Sequence, residues 1–119
     1  MLSGILGAAA AILGAFGAHG LESRLSEDML HTYEVGVRYQ FYHVLALFAL
    51  ALAPERIWRS PWANRACWGW LIGIAVFSGS LYVLALTGQK WLGAITPFGG
   101  LAMILGWVFV ALAARRTAE

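Results

Sequence analysis

The stretch ACWGWLIGIAVFSGSLYVLALT, residues Ala66–Thr87, runs 22 residues without an Asp, Glu, Lys or Arg. As a helix it would be about 33 Å long at 1.5 Å per residue, enough to cross the ~30 Å hydrocarbon layer of a bilayer. It is not an isolated case. Charge-free windows also cover Met1–Leu21, Tyr39–Pro54 and Trp91–Ala114, in a chain of 119 residues that is 61% hydrophobic and 12% charged. A soluble helix needs a polar face, and these windows have none. Composition therefore excludes a soluble enzyme domain, a disordered tail and a disulfide scaffold, and it points to a small integral membrane protein.

Working outward gives four spans, approximately Leu2–Ala18, Val35–Ala53, Ala66–Thr87 and Pro97–Ala114, in a single all-α transmembrane domain, residues 1–119. The first span reads as a retained helix and not as a signal peptide, because no Lys or Arg precedes its apolar stretch. It is rich in Gly and Ala at four-residue spacing (Gly7/Ala11/Ala15 and Ala10/Gly14/Ala18). Such stripes let helix backbones approach closely, which predicts this helix as the packed centre of the bundle. The second helix is expected to start at Ser26 as N-cap, with Glu27 and Asp28 favourably placed in its first turn. It outruns the membrane, so its beginning forms an amphipathic extension between the first and second spans. Pro54 ends it. The connector to Arg65 holds three arginines, and Trp58, Trp62, Trp68 and Trp70 around it form an aromatic belt. Gly69 and Gly73 suit close packing of the third span. Thr96 as N-cap and Pro97 at the first helical position open the fourth, and Gly99-Gly100 would let it approach the first.

Arg56, Arg59, Arg65, Arg115 and Arg116 fall on the side of both termini, against Arg24, Arg38 and Lys90 on the other. The positive-inside rule then places both termini in the cytoplasm. The net charge of +2 is distributed over connectors and forms no basic patch, so nucleic acid is not an expected partner. The single Cys67 can form no internal disulfide; it reads as a small buried or interfacial residue.

Four ordered motifs add a resemblance: GAFGAHGL (Gly14–Leu21), YQFYHVLAL (Tyr39–Leu47), FSGSLY (Phe77–Tyr82) and GAITPFGG (Gly93–Gly100). Across essentially the whole chain the sequence resembles the small membrane proteins of domain of unknown function 423, also called uncharacterised protein family 0382. The resemblance implies a multi-pass protein of the bacterial inner membrane. It carries no activity, cofactor or functional residue with it.

The ionisable residue at bilayer depth is His43, and such residues are functional candidates by default. Tyr39, Gln40 and His43 fall within about 100° on a helical wheel, a polar wedge that must face other helices. It reads either as a proton-relay or ligand-contacting site, or as interhelical glue in which a neutral His43 bonds a serine or a backbone carbonyl. Ser78 and Tyr82 share one face of the third span, Ser80 lies on another, and Thr96 stands at the start of the fourth. No carboxylate accompanies them to orient a nucleophile and base, so no catalytic residue is assigned. A second cluster, His19, Glu22, His31, Glu34 and Arg38, lies at the outer end of the second helix. It lacks any recognised metal-ligand spacing and reads as a solvated salt-bridge stripe, with no metal or cofactor expected. The leading expectation is a non-catalytic scaffold or assembly protein whose partners are the bilayer and a second copy or another membrane protein. The alternative is a small oligomeric transporter or channel with a polar path near His43; a membrane enzyme or metal-binding protein ranks last.

Overall fold

A computed structural model describes residues 1–116, and every regular element among them is helical. Helix α1 (Leu2–Phe16) continues through one π turn (Gly17–Leu21). Helix α2 (Glu27–Ala51) starts as expected, with the Ser26 hydroxyl accepting from the Met29 amide at 3.2 Å. A helical turn α3 (Glu55–Trp58) interrupts the connector after Pro54. Helix α4 (Pro61–Gly73), a π turn (Ile74–Ser78) and α5 (Gly79–Thr87) form one continuous rod. The rod begins five residues before the expected span, because Ser60 caps it by accepting from the Trp62 amide and Pro61 pre-sets its first turn. Gly88, in the left-handed region at φ 72°, ends the rod. A 3₁₀ segment (Lys90–Ala94) then leads into α6 (Thr96–Arg116).

Three helices are long and apolar enough to cross a membrane: Leu2–Leu21, Pro61–Thr87 and Lys90–Arg115. Helix α2 is not among them; Glu34, Arg38, Gln40 and His43 dilute its apolar run.

The helices pack in chain order: α1 on α2, α2 on the rod, the rod on α6. The result is a slab, 54 × 27 × 17 Å. Helix α1 is therefore an edge helix and not the packed centre. Its contact stripe runs Gly7, Ala10, Gly14, Gly17 and Leu21, in alternating steps of three and four. A Cβ on Gly7 or Gly14 would touch Val44 at 3.4 Å or Val37 at 3.3 Å, and one on Gly17 would run into the Tyr33 ring. Neither strict four-residue series matches that stripe, and Ala8, Ala11 and Ala15 face outward.

The tightest seam joins the rod to α6. A Cβ on Gly69 would come within 2.9 Å of the Ala102 carbonyl oxygen and 3.3 Å of the Gly106 backbone, and one on Gly73 would collide with Met103. Gly99 abuts the backbone of Phe77 and so closes this seam; it does not bring α6 to α1. Trp70 is a core residue, 1% exposed, and lies across Gly106. It belongs to no interfacial belt, while Trp58 and Trp68 do face outward.

Candidate functional site

Among the described residues, Gln40, His43, Ser78 and Ser80 are the buried polar side chains; α2 carries Gln40 between α1 and the rod and His43 against Trp107 of α6. Gln40 bridges both neighbours: its Nε2 donates to the Leu6 carbonyl of α1 at 2.9 Å, and its Oε1 accepts from the Tyr82 hydroxyl of α5 at 2.6 Å. Two turns earlier, the Tyr33 hydroxyl donates to the Leu13 carbonyl at 2.6 Å. The Ser78 hydroxyl donates to the Gly36 carbonyl at 2.7 Å. Gly36 has no side chain for a reason: a Cβ there would lie 2.8 Å from the Tyr82 ring.

His43 has both ring nitrogens engaged. Nδ1 lies 2.7 Å from the Tyr39 carbonyl oxygen, which only accepts, so Nδ1 carries the hydrogen. Nε2 is then the bare nitrogen, and it accepts from the Trp107 indole N–H of α6 at 3.1 Å. The partner is therefore neither a serine nor a carbonyl of another helix. Trp107 escaped the sequence reading, although its place eleven residues into the fourth span was a signal: an indole N–H far from both interfaces needs an acceptor.

Ser80 and Thr96 share a hydrogen bond of 2.6 Å that ties the rod to the start of α6; from there the chain closes on the Phe77 carbonyl at 2.9 Å or the Leu92 carbonyl at 3.2 Å. Thr96 thus acts as an interhelical bridge, and α6 already includes it. Neither serine bonds His43. Trp70 Nε1 is buried without a hydrogen-bond partner.

The outer cluster does not assemble. His19, Glu22, His31, Glu34 and Arg38 are all exposed. No ion pair forms among them; the pair within 4 Å among the described residues is Arg59–Glu55, at 2.6 Å. The i, i+4 spacing places these side chains on one stripe but does not close them, since exposed ions lose little by staying hydrated. No group of three His, Cys, Asp or Glu among the described residues lies close enough to hold a metal ion.

Beside His43, a groove of about 490 Å³ opens sideways between α2 and α6, lined by Tyr39, Tyr42, Phe77, Met103 and Ile104. The FSGSLY, YQFYHVLAL and GAITPFGG motifs all contribute to this region. The model of a family described as "Protein of unknown function (DUF423)" matches residues 13–100. The chain belongs to that family. This DUF423 member is 44% identical over 114 residues to the UPF0382 membrane protein YwdK of Bacillus subtilis (strain 168), covering 92% of this chain and 93% of the relative. It is 45% identical over 118 residues to the UPF0382 membrane protein SERP0230 of Staphylococcus epidermidis, covering 96% and 95%. It is 41% identical over 99 residues to a UPF0382 membrane protein of Haemophilus influenzae, covering 83% and 78%. No solved structure matches the chain. The family match and these names agree with the helical, lipid-suited architecture: this DUF423 chain is a transmembrane protein.

Proposed function

We propose that this DUF423 protein is a four-span, non-catalytic component of the bacterial inner membrane, with both termini cytoplasmic, that scaffolds or helps assemble other membrane components. The observation that carries the reading is the closure of its intramembrane polar groups, the Trp70 indole N–H alone among the buried side chains described being without a partner. Gln40, His43, Ser78, Ser80 and Thr96 all bond within the fold, to backbone carbonyls or to each other. A conducting path would need such groups facing a shared aqueous space. With α2 as the fourth span, its Gln40 and His43 turn toward α1, the rod and α6, which is how polar side chains of a helix reside in lipid. The broad outward faces of α1 and α6 suit lateral contact with lipid, a second copy or another membrane protein.

Ion flux into proteoliposomes tests this. Wild type and His43→Ala should both match protein-free vesicles for protons, sodium and potassium. Flux above background that His43→Ala abolishes would replace the scaffold reading with a transporter.

A further inference from the structure

We propose that the groove between α2 and α6 holds one acyl chain of an anionic glycerophospholipid, with the lipid phosphate at Arg38. The inference deepens the scaffold reading by naming a lipid partner, and it rests on α2 lying in the bilayer.

Four observations select this occupant. The groove opens sideways, so at bilayer depth its mouth faces acyl chains and not water. Its polar floor is already satisfied: His43 is 4% exposed, donates through Nδ1 and accepts from Trp107 through Nε2. An occupant reaching that floor finds no polar group left to bond, which suits hydrocarbon and disfavours a polar solute. The length also fits. Gly100 to Trp107 is a rise of seven residue steps, about 10 Å of helix, within one leaflet's share of the ~30 Å core. Finally, polarity rises only toward the end nearer Ser26. Tyr39 and Tyr42, packed edge to face at 5.5 Å, stand there. Arg38 lies one turn beyond Tyr42 on the same stripe (i, i+4), exposed and without an ion-pair partner among the described residues. Glu34, a further turn out, makes no ion pair with it. Along α2 from its Ser26 end come Arg38, then Tyr39 and Tyr42 at the apolar slot, an order that matches phosphate, ester groups and acyl chain.

The test is native mass spectrometry of full-length protein released from nanodiscs of equal phosphatidylglycerol and phosphatidylcholine. Wild type should retain one phosphatidylglycerol. Ile104→Trp, at an exposed position on the groove wall, should lose it at unchanged helicity. Gly100→Leu provides a second filling variant, since a Cβ there meets the Phe77 ring at an ordinary 3.6 Å. Ile12→Trp, on the outward face of α1, should retain the lipid. Arg38→Gln should abolish the preference for phosphatidylglycerol. Equal retention in wild type and both filling variants, or equal loss in Ile12→Trp, would overturn the proposal in favour of an ordinary lipid shell. A wild-type dimer that the filling variants split would put a second copy in the groove instead. Flux with the lipid retained would defeat the scaffold reading alone; absent flux with no lipid retained would defeat this proposal alone.

Discussion

His43 illustrates how geometry decides between two readings of one residue. A histidine at bilayer depth invites a proton-relay interpretation, but its hydrogen is fixed on Nδ1 by the Tyr39 carbonyl and its lone pair is taken by Trp107. The pair should therefore be coupled. In a double-mutant cycle of His43→Ala and Trp107→Phe, followed by denaturant unfolding in micelles, the coupling energy should fall near 0.6 kcal/mol and not above ~1.7 kcal/mol, the range for hydrogen bonds between membrane helices. Zero coupling would mean that the indole has another acceptor. Gln40 is the more consequential neighbour because it joins three helices at once. Gln40→Leu removes the bonds to both the Leu6 carbonyl and the half-buried Tyr82 hydroxyl, at a cost of roughly 1–3 kcal/mol. Tyr82→Phe removes one bond only and should cost less, measured by the same unfolding titration.

The elements differ in how well the sequence announced them. Charge-free windows located the first, third and fourth helices, and Ser26 with Glu27 and Asp28 marked the start of α2, because these features act locally. Helix neighbours were not legible. Small residues on α1 suggested a central helix, yet only its three-four stripe meets α2, since a helix of 3.6 residues per turn rotates a strict four-residue series off the seam. Gly99 pointed from sequence to a contact with the first helix; its place against Phe77 lies at the π turn Ile74–Ser78, which no periodicity reveals. In the same way, Trp70 and Trp107 read as belt and span residues, and only packing made one a core residue and the other a donor. The seam makes a sharp comparison of two glycines. Gly99→Ala would press a methyl into the Phe77 backbone and should destabilise by roughly 1–3 kcal/mol, as overpacking does. At Gly79 a Cβ meets nothing within 4 Å, so Gly79→Ala should be neutral or stabilising by up to ~1 kcal/mol through helix propensity. Unfolding midpoints of the two variants check both signs; equal destabilisation would contradict the seam between the rod and α6.

At the scale of the molecule, a thin slab of helices in chain order leaves much of α1 and α6 facing outward. The orientation has its own test. With Cys67 replaced by Ala, single cysteines at Ser23 and Ser60 should label from opposite faces with a membrane-impermeant maleimide, Ser23→Cys from outside intact cells and Ser60→Cys only after lysis. Labelling of both from one side would remove α2 as a span. Gln40, His43, Ser78, Ser80 and Thr96 close within the fold, and the state of His43 reports that closure most directly. Nitrogen-15 NMR of histidine-labelled protein in nanodiscs should show His43 as a neutral Nδ1–H tautomer whose Nε2 accepts from the Trp107 indole, with slow hydrogen exchange. A His43 ring protonated at Nε2, or exchanging freely with water, would contradict the account.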